Sequence, residues 1–348
     1  MFLKKKFFLF LISGILFGLS SCKDDDPVTP IENPIYEDGV FIVNEGPFQN
    51  GSGSISFYSR KNGEITNNIY QNANNGVQLG NIVQSMTIHN GLAYIVVNNA
   101  NKIIIADGRN FEKVGEITGL ELPRNFLPVS DEKAFVSQWG AGGVTGSLKV
   151  IDLTNNTVSN VIDTRPGPES MIKSGDFVYV TNSGGFTADS VISKIDIASE
   201  AIVKTIEVGQ GPDYIVSDRN GDLWILGHGN YISGANGSLS KVSNDNLEVN
   251  MEIGLGLADL TINNDGDELF YITNGLTFSH IITETTLDPT PFISRYFYGL
   301  GVDPQTDEIM ALDAKDFSQD GLMIIYDNDG IALDSSSVGV VPGGLWFE

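Results

Sequence analysis

A short hydrophobic run recurs seven times along this chain, and no other feature narrows the possible folds so far. It reads Val40-Phe41-Ile42-Val43-Asn44, Tyr94-Ile95-Val96-Val97-Asn98, Phe135-Val136-Ser137-Gln138, Tyr179-Val180-Thr181-Asn182, Trp224-Ile225-Leu226-Gly227, Tyr271-Ile272-Thr273-Asn274 and Met310-Ala311-Leu312-Asp313. Measured from its first aromatic or large apolar residue, the run returns after 53, 41, 44, 45, 47 and 39 residues. A period of about 40 to 50 residues made of short β-rich segments is that of a β-propeller, a ring of four-stranded antiparallel blades. The fold class expected is therefore all-β, a propeller of seven blades.

The other strands of each unit follow from the same spacing. A third strand comes after a polar or glycine-rich loop and often ends in aspartate, as in Leu148-Lys149-Val150-Ile151-Asp152 and Ser193-Lys194-Ile195-Asp196. A short carboxylate there can accept bonds from nearby backbone N–H groups and fix a turn. Outer strands such as Ile202 to Val208 alternate as a half-buried strand should. The first unit begins at its second strand, while the chain finishes on an unattached strand, Gly343-Gly344-Leu345-Trp346-Phe347-Glu348. Pairing that strand with Val40 to Asn44 would complete the first blade from both ends of the chain and cover two open edges. Beyond the leader, nothing in the sequence reads as helical.

The N-terminus sets the compartment. Lys4, Lys5 and Lys6 precede an uncharged apolar stretch from Phe7 to Leu19, which is too short to span a hydrocarbon core ~30 Å thick and reads as a signal peptide over residues 1–21. Leu19-Ser20-Ser21-Cys22 has the form of a lipobox, and Cys22 is the one cysteine in the sequence, so Cys22 is the expected lipidation site. Lys23-Asp24-Asp25-Asp26 resembles the acidic signal that directs such lipoproteins of the Bacteroidetes type to the outer face of the outer membrane. Three prolines then stiffen a tether over residues 22–38, and the propeller occupies 39–348. Removing residues 1–21 takes three of the 20 Lys and Arg and none of the 44 Asp and Glu, giving a mature charge of −27. A field of that sign repels phosphate backbones and anionic head groups, so nucleic acid is excluded as a partner and the membrane is met through the lipid anchor alone.

Catalytic chemistry has little support. His89, His228 and His280 fall in three different units, with no metal-ligand spacing and no cysteine beside them, so no metal is expected. Ser170-Met171-Ile172-Lys173 and Ser238-Leu239-Ser240-Lys241 match a Ser-x-x-Lys pattern, but that pattern needs a helix and both lie in strand-like sequence. The Asp218 to Asp222 and Asn263 to Asp267 stretches read as hairpin turns, since no glutamate is spaced as a calcium loop requires. The chain is expected to be no enzyme and to hold no resident cofactor.

Binding is better furnished. In a propeller the loops between second and third strands share one face with the links from one blade to the next. Phe48, Trp139, Phe186, Tyr231 with His228 and Asn230, Phe278 and Phe317 are expected on such loops beside glycine or polar residues, and Asn99 and Arg124 join the same face. Glu169, Asp213, Tyr214 and Tyr296 are expected there as well. Aromatic faces and amide side chains together suit a wide ligand with an apolar ring and polar edges. A stacked oligosaccharide would suit them too.

Tyr179-Val180-Thr181-Asn182, the third strands ending in Ile-Asp, and Val208-Gly209-Gln210-Gly211-Pro212 resemble the YVTN, or YncE-like, seven-bladed propellers. Within that group, Val40 to Gly46, Gln84-Ser85-Met86-Thr87-Ile88, Tyr94 to Asn99 and Val340-Val341-Pro342-Gly343-Gly344 resemble the BtuG-like surface lipoproteins. The resemblance implies capture of cobalamin or a related corrinoid as cargo, and its presentation to a TonB-dependent outer-membrane transporter. The alternatives are a glycan-binding or glycan-cleaving propeller and a protein-interaction scaffold at the cell surface.

Overall fold

The computed structural model describes residues 35–48 and 50–348. The signal peptide, Cys22 and the tether up to residue 34 lie outside the described residues. The rest forms seven antiparallel sheets, each a blade. The inner strands are Pro342–Phe347 in blade 1, Val83–His89 in blade 2, Pro123–Pro128 in blade 3, Pro168–Ser174 in blade 4, Pro212–Ser217 in blade 5, Ala258–Ile262 in blade 6 and Gly299–Val302 in blade 7. Each inner strand touches the next, and that of blade 7 touches that of blade 1, so the blades close into a ring around an axis.

Closure is made as the sequence suggests. Pro342–Phe347 pairs antiparallel with Gly39–Asn44, with Phe41 opposite Trp346 and Ile42 opposite Leu345. The chain's two ends thus share one sheet, and neither edge is left open.

The recurrent hydrophobic run is the second strand of each blade, and its composition follows from where it sits. Side chains alternate between the two faces of a strand, and here each face is covered by a neighbouring blade. Phe41 and Val43 pack toward blade 2 with Val83, Met86 and Ile95, whereas Val40 and Ile42 pack toward blade 7 with Met310, Leu312 and Met323. The same holds around the ring, which carries seven hydrophobic clusters, one between each pair of adjacent blades. Burying one such side chain contributes roughly 1.5–3 kcal/mol. The expected turns also form: Asp152 and Asp196 accept from the backbone N–H groups of Thr154 and Ser199, and Asp218 is occupied by the N–H groups of Asn220 and Asp222 and the indole of Trp224.

Two departures from the sequence reading have physical causes. Blade 6 has three strands rather than four, because residues 282–298 meet its third strand, Leu276–Ile281, only through a bridge between Thr277 and Ile293. Pro289 and Pro291 in that segment have no N–H to donate to a ladder. The link from blade 1 to blade 2 holds a five-residue helix, Ile69–Ala73, which places Ile69 and Tyr70 in the cluster between those blades. It is too short to show a helical period. Among the described residues no helix is long and apolar enough to cross a membrane.

Candidate functional site

The upper face carries the turns between second and third strands and the links that start each inner strand. Five inner strands begin with a register shift: blade 1 at Pro342/Gly344, where the skipped residue is Gly343 and brings no side chain, and blades 2 to 5 at Val83/Ser85, Pro123/Phe126, Pro168/Met171 and Pro212/Tyr214. A bulge turns a side chain away from the regular alternation, and here it delivers Gln84, Arg124, Glu169 and Asp213 to the axis. Asp259 occupies the equivalent place in blade 6. Hydroxyls of the preceding blade hold these backbones: Ser85, Ser137 and Thr181 donate to the carbonyls of Arg124, Glu169 and Asp213 at 2.7, 2.8 and 3.0 Å. Neighbouring blades therefore fix the height at which each side chain enters.

Arg124 is the centre of the group. Its Nε donates to Glu169 Oε2 of blade 4 at 2.7 Å, and another guanidinium nitrogen donates to Gln84 Oε1 of blade 2 at 2.5 Å. It also feels the charges of Asp213 from blade 5 and Glu45 from blade 1. Bonds to blades 2 and 4 and the charges of blades 1 and 5 converge on one side chain only near the axis. Burial pushes the Glu169 and Asp213 carboxyls above the usual carboxylate range, against the pull of Arg124. Burial likewise lifts Glu45, whose Oε1 accepts from the Tyr298 hydroxyl at 3.1 Å, and lifts Asp259 to about 7 despite two backbone N–H donors, from Leu300 and Leu260. A crowd of carboxyls with one guanidinium in low dielectric keeps protons that exposed carboxylates would lose.

An aromatic wall stands over this group on blades 3 to 5. The Arg124 guanidinium lies 4.5 Å from the Trp139 ring centroid, a cation–π contact. Phe186 meets Trp139 edge-on at 5.2 Å. The two loops come this close because of glycine: Phe186 N–H donates to Gly143 O at 2.8 Å, and a Cβ on Gly143, at φ +68°, would lie 2.4 Å from the Phe186 ring. The Trp139 Nε1 is buried without a hydrogen bond of good geometry, though its nearness lowers the Glu169 carboxyl. On blade 5, His228 stacks on Tyr231 at 5.4 Å, and burial lowers its pKa. Across the axis, Phe317 meets Tyr298 edge-on at 5.3 Å.

Arg124, Trp139 and Phe186 are thus in contact, the His228–Tyr231 pair stands on blade 5 where His228 feels the charge of Glu169, and Phe317 stands against Tyr298 on blade 7. Asn230 stands beside Tyr231, but its Oδ1 accepts the N–H groups of Ile232 and Ser233 and holds the loop. Phe48, 73% exposed, stands on the rim at blade 1, and Asn99 on the rim at blade 2 is bonded to Asn81. Phe278 is elsewhere. The turn of blade 6 is only Asn274-Gly275, both at positive φ, so Phe278 falls within the third strand and stacks on Tyr271 in the interior between blades. Sequence reading missed Gln84, Asp259 and Tyr298 as axial groups. The signal that finds Gln84 and Asp259 is register, because Gln84, Arg124, Glu169, Asp213 and Asp259 are each the second residue of an inner strand, whereas Tyr298 lies just before the inner strand of blade 7 and carries no such signal. Among the described residues no group of three His, Cys, Asp or Glu side chains could hold a metal ion.

A family model described as a domain of unknown function (DUF5074) matches residues 38–330. No curated protein matches the sequence. Among solved structures, a quinoprotein alcohol dehydrogenase-like protein from Bacteroides thetaiotaomicron superposes with a TM-score of 0.67 at 16% identity, over 90% of this chain and 79% of that one. A periplasmic gluconolactonase from Pseudomonas aeruginosa gives 0.63 at 13% identity, over 88% and 98%. A functionally unknown protein from Desulfotomaculum acetoxidans gives 0.64 at 12% identity, over 89% and 98%. At these identities the likeness is one of fold.

Proposed function

The chain belongs to the DUF5074 family, a domain of unknown function, and from that premise we propose that it is a lipid-anchored surface protein that binds cobalamin or a related corrinoid at the upper mouth of its propeller. It then offers this cargo to a TonB-dependent transporter. The observation that carries the reading is the convergence of Arg124, Glu169, Trp139 and Phe186 at the axis, ringed by further carboxyls. A corrinoid has a broad apolar ring fringed with primary amides. The Trp139 and Phe186 faces and the His228–Tyr231 stack supply apolar contact at low entropic cost. Carboxyls that hold protons near neutral pH can both accept from and donate to amides, and Arg124 adds a donor. The chain enters blade 1 on the lower face, where Tyr36 packs on Phe57 and Phe111.

Retention on immobilised cobalamin tests this reading. The wild-type protein should be retained and eluted by free cyanocobalamin, Trp139→Ala should pass through, and Phe278→Leu should behave as wild type. Equal passage of all three would count against it. A glycan-cleaving propeller is the second reading, favoured by the lifted Asp259 carboxyl as a proton donor near neutral pH. Product analysis on a glycan panel separates the two, since release of cleaved sugar belongs to the second alone.

A further inference from the structure

At the opposite end of the axis, the inner strands of blades 1 to 4 end around a depression of about 430 Å³. Its wall is largely apolar, with Phe126, Leu127 and Val129 from blade 3 and Trp346 from blade 1. Lys173 from blade 4 and His89 from blade 2 complete it. The Lys173 ammonium donates to Val129 O at 3.0 Å, and among the described residues no carboxylate lies within 4.0 Å of it. Lys61, Lys102, Lys149, Lys204 and Lys315 are likewise without an ion pair among the described residues, but Lys173 is the one of these lysines that lines the depression. His89 carries a buried Nε2 with no hydrogen-bond partner.

We propose that this lower mouth is a second binding site, for a small organic monoanion with an apolar body. Its volume falls within the range of roughly 300–1,000 Å³ of small-molecule sites, which are mostly apolar with a few polar groups that fix orientation. Lys173 has two donor hydrogens left for a carboxylate, and a charge-assisted bond of that kind is about twice as strong as a neutral one. The apolar body would lie against Phe126, Leu127 and Trp346. Asp131 stands on the same rim and repels a second negative charge, which selects a monoanion over a dianion.

The three tryptophans make the test site-specific, since Trp139 stands at the upper mouth, Trp224 is buried between blades 5 and 6, and Trp346 lines the lower mouth. Full-length protein labelled with 5-fluorotryptophan would be titrated with 4-phenylbutyrate and with 4-phenylbutan-1-ol, and the fluorine resonances assigned through Trp346→Phe and Trp139→Phe. The expected result is a saturable shift of the Trp346 resonance by the acid, with affinity about tenfold lower for the alcohol and for Lys173→Gln, and recovered in Lys173→Arg. Lys173 is exposed, so its replacement leaves the fold intact. No shift at Trp346, equal affinity for acid and alcohol, or a shift confined to Trp139 would each overturn the proposal. None of these outcomes depends on what the upper mouth binds.

Discussion

Replacing Asp259 with asparagine should remove a defined share of the pH dependence of stability. Burial raises this carboxyl from 3.8 to about 7, and its two oxygens accept the N–H groups of Leu260 and Leu300 at 2.7 Å. A carboxyl whose folded pKa is raised stabilises the native state fully below its unfolded pKa, and that share is lost as pH rises through the folded value. The window therefore runs from pH 3.8 to about 7. Three pKa units at about 1.4 kcal/mol each make the share about 4 kcal/mol. Groups with lowered pKa, such as Asp316 at about 2, Asp196 and Asp245, act in the opposite direction and lose stability as pH falls. They are common to both proteins and cancel in the difference. Asparagine cannot ionise and keeps one acceptor oxygen, so the variant is destabilised at low pH by its lost N–H partner, and the deficit should shrink or reverse by about 4 kcal/mol toward pH 8. Urea denaturation of both proteins at intervals from pH 4 to pH 8 measures this. Stability curves that stay parallel across the window would refute the placement of a buried, proton-holding carboxyl at the axis.

Three further outcomes are expected. Trp139→Ala should weaken corrinoid binding by about thirtyfold, which is the ~2 kcal/mol of a buried aromatic at a binding site, as read by the cobalamin absorbance change on titration. Deleting residues 343–348 should uncover the second strand of blade 1 and lower the melting temperature by on the order of 10 °C, and an unchanged melting point would refute closure through that strand. Cys22→Ala should move the protein from the membrane fraction to the soluble fraction and abolish acyl labelling.

The ring was legible because its strongest pattern is local. A strand covered on both faces must be apolar at successive positions, as Val40 to Val43 and Tyr94 to Val97 are, and seven such runs declare seven blades. The loose strand at Gly343 to Phe347 declared the closure, since an apolar strand without a partner needs an edge to pair with. The missing outer strand of blade 6 was less plain, because the prolines of residues 282–298 forbid a ladder without saying what replaces it. Phe278 was misplaced although Asn274-Gly275 is a strong signal for a two-residue hairpin turn, which leaves Phe278 in the strand. The aromatic wall was visible as glycine-flanked Trp139 and Phe186. The charged centre was only half visible: Arg124, Glu169 and Asp213 were placed on the upper face, but their meeting with Glu45, Gln84, Asp259 and Tyr298 depends on bulges and on the closed ring. No stretch of sequence shorter than the whole chain contains that information.

Whether the upper mouth binds a corrinoid is settled by titration calorimetry of cyanocobalamin into the purified protein at neutral pH. Saturable binding of one ligand per chain is expected at micromolar or tighter affinity, weakened in Trp139→Ala and unchanged in Lys173→Gln. Absence of heat and of any change in the cobalamin spectrum at micromolar protein would contradict it.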